Sequence, residues 1–171
     1  MKIAVIGYSG GGKSTLAAAL GQRYRLPVLH LDRVHWLPGW VEQAPETEQR
    51  AVSAFLDSHG AWIIDGNYAS LSLARRLEEA DEIVFLAFGR FRCLYRVWKR
   101  RRDCAGSARP SMTPGCEEKL DGEFVRWILW DGRSRAQRRR YAAIRRQYAG
   151  KLTVLKNQRQ LSAYYREKGL G

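Results

Sequence analysis

Cysteine is scarce in this chain: Cys93, Cys104 and Cys116 are its only three among 171 residues, odd in number and widely spaced. That pattern excludes a disulfide framework, and the absence of paired C-x-x-C spacing excludes a four-ligand zinc site. A reducing, cytoplasmic setting is the expectation. Long apolar runs are also lacking. No stretch approaches the roughly 20 residues needed to span a bilayer, and the opening MKIAVIG has no long apolar h-region or small-residue cleavage site, so no secretory leader is expected. There is no internal repeat and no low-complexity tract. An N-K-x-D guanine motif is missing, and Asp65-Gly66 lacks D-x-x-G spacing, which argues against a GTPase switch. Carboxylates are outnumbered, at 17 Asp+Glu against 30 Lys+Arg, for a net charge of +13 and a pI near 10.2.

That excess implies a polyanionic partner: nucleotide phosphates, nucleic acid or an acidic surface. Of the 30 basic residues 23 are arginine, whose forked guanidinium suits phosphate. The charge is regional. Residues 90–146 carry seventeen basic and six acidic side chains, a net of +11, whereas the other 114 residues net only +2. A hydrophobic content of 45 % suffices for one core, so residues 1–171 read as a single domain with a small lid.

Short β-branched runs alternate with helical patterns. Strands are predicted at 3–7, 27–32, 62–65, 82–88 and 152–155, and their near-continuous hydrophobicity suits a parallel sheet covered on both faces. Helices are predicted at about 13–24, 44–58, 70–79, 91–102, 117–130, 133–148 and 158–168. Asn157 reads as the N-cap of the last, with Gln160 three residues on. The alternation gives an α/β, doubly wound, three-layer fold. Segment 103–116, rich in Gly, Pro and Ser between two Arg-rich helices, reads as a mobile lid.

The strongest motif is Gly7-Tyr8-Ser9-Gly10-Gly11-Gly12-Lys13-Ser14, which matches G-x-x-x-x-G-K-[ST] between a strand and a helical pattern. Glycines let successive backbone N–H groups turn onto an anion, and the helix N-terminus adds partial positive charge. Gly7, Ser9, Gly10, Gly11, Gly12, Lys13, Ser14 and Thr15 are therefore the candidate nucleotide-binding residues. Lys13 would reach the β- and γ-phosphates and Ser14 would ligate Mg²⁺. Asp65, at the end of the strand Trp62–Asp65, fits the Walker-B role of holding Mg²⁺ through water.

Asp32 ends the second strand, where it could accept a proton from an attacking hydroxyl or tune the metal, or stand only as a solvated strand end. The HWLPGW loop adds Trp36 and Trp40, either of which could stack on a flat acceptor or pack under a helix. His30 and His35 read as structural residues. Arginines flanking the lid, Arg96, Arg100 and Arg133 among them, could stabilise a transferring phosphoryl group on closure, since such chemistry rests mainly on positive charge.

The stretches GYSGGGKST, LDRVHWLPGW, WIIDGNY, RCLYRVWKRRRD and CEEKLDGEFVRWI, in that order, resemble the topology-modulation (FlaR-type) proteins, relatives of adenylate kinases and other small P-loop kinases. The resemblance spans nearly the whole chain. It implies an adenylate-kinase-like P-loop NTPase core with a five-stranded parallel sheet in the order 2-3-1-4-5, an acceptor region near 33–60, a helical lid near 103–132, and ATP and Mg²⁺ as cofactors. It places Gly12, Lys13, Ser14 and Thr15 on the family's phosphate loop and Asp65 on its DG motif. Where adenylate kinases follow that DG with Phe-Pro-Arg, this chain has Asn67-Tyr68-Ala69, so AMP is not implied as acceptor, and Arg75 or Arg76 is the candidate substitute.

Two functions remain open on the sequence. The first is an ATP-dependent phosphotransferase acting on a small acceptor, a nucleotide among the candidates, with Lys13, Asp32, Arg96, Arg100 and Arg133 in catalysis, Asp32, Arg33, Trp36, Trp40, Asn67 and Arg75 around the acceptor, and Asn157 near the ATP. The second is an ATP-binding regulator that touches nucleic acid unspecifically through the Arg-rich region and affects DNA topology; no sequence-reading DNA- or RNA-binding motif is present. No membrane partner is expected.

Overall fold

The computed structural model describes residues 1–103, 111–116 and 120–170. Strand β1 (Lys2–Gly7) is apolar at five successive positions because both of its faces are covered. It lies at the centre of a parallel sheet between β5 (Trp62–Asp65) and β6 (Glu82–Leu86), with β2 (Val28–His30) beyond β5 and β7 (Leu152–Leu155) beyond β6. The spatial order β2-β5-β1-β6-β7 is the 2-3-1-4-5 order expected of the five sheet strands.

Alternation along each strand divides the core. Ile3, Val5, Ile63, Val84 and Leu86 pack with Leu16 and Leu20 of α1 (Lys13–Tyr24), Val97 of α5 (Arg90–Asp103) and Leu161 of α8 (Gln158–Glu167). Ala4, Ile6, Ile64, Ile83 and Phe85 pack on the other face, with Val52 and Leu56 of α3 (Pro45–Ser58), Leu77 of α4 (Leu73–Glu79) and Ile144 of α7 (Arg135–Gln147). Helix α6 (Gly122–Leu129), capped by the Asp121 carboxylate on Phe124 N–H, precedes a single 3₁₀ turn at Asp131–Arg133.

The main departures from the sequence reading lie after β2. The strand stops at His30, opposite Asp65, because β5 ends there and offers Leu31 and Asp32 no further backbone partner. Leu31–His35 instead form a short helix, α2, followed by a hairpin of β3 (Trp36–Leu37) and β4 (Val41–Glu42) that the aromatic content concealed. Helix α4 begins at Leu73 rather than near residue 70, since Ser72 takes a left-handed φ of 51°. Of the expected lid, 104–110 and 117–119 lie outside the described residues. Segment 111–116 docks on the hairpin: Gly39 N–H donates to Gly115 C=O at 3.2 Å, Thr113 O–H to Trp36 C=O at 2.5 Å, and the Cys116 thiol to Leu37 C=O at 3.2 Å. No helix among the described residues is long and apolar enough to cross a membrane.

Candidate functional site

The carboxyl ends of β1, β2 and β5 converge on the loop between β1 and α1. Gly7 has φ 146°, and a Cβ there would meet Leu86 O at 2.4 Å; Gly10 has φ 78°, and a Cβ would meet Cys93 O at 2.6 Å. Only glycine lets the chain turn this tightly against β6 and α5. Helix α1 then starts with no side-chain cap and no acidic residue in its first turn. Its leading N–H groups are left to face the loop, which is the arrangement that holds an anion. Lys13 Nζ lies 3.4 Å from Tyr8 C=O, across the loop mouth. Thr15 is exposed on the first turn of α1.

Below the loop, Asp65 is only 3 % exposed. The Ser14 hydroxyl donates to one of its oxygens at 2.7 Å, and Nδ1 of His30 contacts the other. The parallel register, His30 opposite Asp65, puts the two side chains together. His30 was expected to be merely structural; the signal for it is the shared position at the ends of two neighbouring strands. Hard oxygen donors from one hydroxyl and one carboxylate suit Mg²⁺, which takes few protein ligands and completes its shell with phosphate and water. No cluster of three or more His, Cys, Asp or Glu that could enclose a metal exists among the described residues. Asn67 braces the same region: its side-chain oxygen accepts from Gly7 N–H at 3.0 Å and its amide donates to Gly7 C=O, so both functional atoms face the phosphate loop.

On the flank of α2, Asp32 accepts the Tyr68 O–H at 2.8 Å. Burial and the Asp32 charge together push the Tyr68 phenol well above its ordinary range, so it stays a donor. His35 contacts the Tyr68 and Trp36 rings, each at 4.6 Å, and pairs through Nδ1 with buried Glu48 of α3 at 2.6 Å. Trp36 and Trp40 meet edge to face at 5.4 Å, and both are half-buried. Arg33 is exposed.

The two arginines after the DG pair sit differently from each other. Arg75 is on the outer face of α4, held by Glu79 and Asp57 at 2.6 Å each, and is not brought to Asp32 or Tyr68 by any of these bonds. Arg76 is fully buried and donates to the carbonyls of Leu71 at 2.7 Å, Tyr68 at 2.7 Å and Gly66 at 3.4 Å. Desolvation brings its pKa down to about 10, still cationic at neutral pH.

The opposite flank carries the expected lid arginines. Arg96 of α5 donates to Gly11 C=O and to Gln158, at 2.6 Å each, with its guanidinium 4.4 Å from the Phe88 ring. Arg133 stacks on the Tyr8 ring at 3.8 Å and donates to Phe88 C=O at 2.8 Å. Arg100 is half-buried in the last turn of α5. Trp127 of α6, a residue the motifs did not single out, donates from its indole to Ser9 O–H at 3.1 Å. Cys93 lies beneath Arg133, its thiol pushed up by burial, which makes it a poor nucleophile. A cleft of about 460 Å³ opens beside this flank, lined by Phe88, Arg92, Lys156, Asn157, Gln158 and Arg159. Within it the Asn157 side chain accepts from Gln160 N–H at 3.0 Å, the cap expected of it.

No family model matches the chain, and no curated protein matches it. Solved structures do. It is similar to a shikimate kinase from Acinetobacter baumannii in complex with shikimate, at 15 % identity and a TM-score of 0.57, covering 98 % of this chain and 93 % of that one. A deoxyadenosine kinase from M. mycoides with bound dATP gives 16 % identity and a TM-score of 0.57, covering 99 % and 100 %. A shikimate kinase from Bacteroides thetaiotaomicron gives 17 % identity and a TM-score of 0.52, covering 98 % and 95 %. The chain thus shares the α/β fold of these small kinases, with its five-stranded parallel sheet, over 98–99 % of its length.

Proposed function

We propose that the protein is a small-molecule kinase that moves the γ-phosphoryl group of ATP, with Mg²⁺, to a small acceptor. The observation that carries the reading is the Ser14–Asp65 hydrogen bond at 2.7 Å, set beneath a loop whose glycines and uncapped helix are open to an anion. The motif order that resembles the topology-modulation proteins, and the fold shared with shikimate and deoxyadenosine kinases, support it.

In this reading the backbone from Gly7 to Thr15 cradles the phosphates, with Ser9 at its edge, and Lys13 neutralises the β- and γ-oxygens. Ser14 and Asp65, the latter through water, hold Mg²⁺, which supplies charge neutralisation on the phosphates when bound. The 460 Å³ cleft beside Asn157 takes the nucleobase. Asp32, fixed by Tyr68, accepts the proton of the attacking hydroxyl, and Trp36, Trp40, Arg33 and Asn67 border the acceptor. Arg96, Arg100 and Arg133 offset charge on the transferring group.

The test is ADP release from Mg·ATP across nucleosides, nucleoside monophosphates, hydroxy acids and sugars, beside Lys13→Ala. One acceptor is expected to raise turnover well above background hydrolysis, and Lys13→Ala to reduce it at least a hundred-fold. ATP binding with no acceptor dependence anywhere overturns the reading.

A specific feature favours a second reading, unspecific nucleic-acid binding. Phe91, Tyr95 and Trp98 are exposed on one face of α5, and Arg92 and Arg102 lie over the Tyr95 and Trp98 rings at 5.8 and 5.1 Å. Rings interleaved with cations suit single strands. A mobility shift that vanishes above very low salt counts against it.

A further inference from the structure

The basic character of the protein stops at the edge of the acceptor flank. Residues 31–60, which form α2, the hairpin and α3, hold Asp32, Glu42, Glu46, Glu48 and Asp57 against Arg33 and Arg50, a net of −3 in a chain of +13. The remaining parts of that flank do not reverse the sign: 66–79 balances Arg75 and Arg76 with Glu78 and Glu79, and 111–116 carries no charge.

Three of the four arginines there are also committed. Arg76 is buried, with its N–H groups on three carbonyls. Arg75 is clasped by two carboxylates at 2.6 Å. Arg50 folds back along α3 onto Glu46 C=O and Thr47. Arg33 follows Asp32 directly, so the two charges offset. Across the cleft, Arg96 and Arg133 are tied to Gly11, Gln158 and Phe88, on the side of the phosphate loop and the nucleobase cleft. What the flank presents instead is a carboxylate and rings: Asp32 held by the Tyr68 O–H, with His35 and Trp36 packed beside them.

A phosphate or carboxylate group brought to such a surface would meet net negative charge, with only Arg33, itself beside Asp32, to offset it among the described residues of the flank, and desolvating an anion without a partner is unfavourable. A flat neutral ring or an ammonium group meets the reverse, since aromatic faces attract both. Resting on the kinase reading, we infer that the acceptor is an alcohol with neither a phosphate nor a carboxylate group, uncharged or cationic, such as a nucleoside or an amino alcohol. Its hydroxyl oxygen bonds to the γ-phosphorus as the bond from that phosphorus to the β–γ bridging oxygen breaks. The electron pair leaves with ADP, and the hydroxyl proton passes to Asp32.

The experiment compares acceptors in matched pairs, a nucleoside with its 5′-monophosphate and an amino sugar with the corresponding sugar acid, measuring ADP and the phosphorylated product. Expected are a kcat/KM at least ten-fold higher for the member without the anionic group, and, for the uncharged nucleoside, a KM that changes less than two-fold between 50 and 300 mM KCl. A preference for the anionic members, or a nucleoside KM that climbs steeply with salt, overturns the inference and leaves the kinase reading standing. Turnover of neither class, while Mg·ATP still raises the unfolding temperature, overturns the kinase reading and this inference with it.

Discussion

Two side chains that no motif marks hold the site in shape. Arg76 donates to three carbonyls in the turn from β5 to α4. Removing it leaves buried acceptors unpaired, at about 1–3 kcal/mol each. Arg76→Met is therefore expected to lower stability by about 3 kcal/mol or more in urea denaturation, whereas Arg75→Met, on the exposed face of the same helix, hardly moves the midpoint. His30 contacts Asp65, and under the proposed reading it would act through that carboxylate on Mg²⁺. Loss of such an outer partner weakens metal binding about ten-fold or more. His30→Ala should raise the Mg²⁺ concentration for half-maximal turnover by about that factor, and His30→Asn, which keeps a polar atom near the same place, should restore part of it. The phosphate loop was legible because its backbone geometry demands glycine at fixed spacing. The roles of Arg76 and His30 were not, because a buried cation and a strand-end imidazole reveal their partners only once β2, β5 and α4 are brought together.

At the scale of elements, the five sheet strands and most of the helices followed from hydrophobic periodicity, whereas α2 and the Trp36–Glu42 hairpin did not. Both hidden elements are five residues or fewer per segment, too short for a period, and the hairpin turn uses Gly39 at φ 79° and Trp40 at φ 64° rather than a signature pair. Helix α8 is the opposite case, announced by Asn157 and Gln160. Its cap makes a separable prediction: Asn157→Ala should reduce stability by about 1 kcal/mol, and Asn157→Asp, which keeps the capping oxygen, should not. Hydrogen exchange at Gln160 distinguishes the two variants.

For the molecule as a whole, burial holds Tyr68, Tyr141 and Tyr164 above the ordinary phenol value of 10.0. Above pH 10 the unfolded chain releases these protons while the folded one keeps them, so stability falls as pH rises through that value. Arg76, lowered by burial to about 10, has the opposite sign in the same window and offsets one of the three. The denaturation midpoint is expected to hold between pH 8 and 9.5 and to drop between 10 and 11, with tyrosinate absorbance appearing together with unfolding. The central place of β1 bears on how the chain is made. Lys2 pairs with Trp62 and Ile3 with Glu82, so this strand, once made, finds its first neighbour only after about sixty further residues and its second after about eighty. Such long-range parallel pairing forms slowly and leaves apolar edges open meanwhile. The glycine loop, though encoded before them, takes its shape only after Asn67 and Leu86 arrive to brace Gly7, and a nascent chain cut short before them would emerge with that loop unformed.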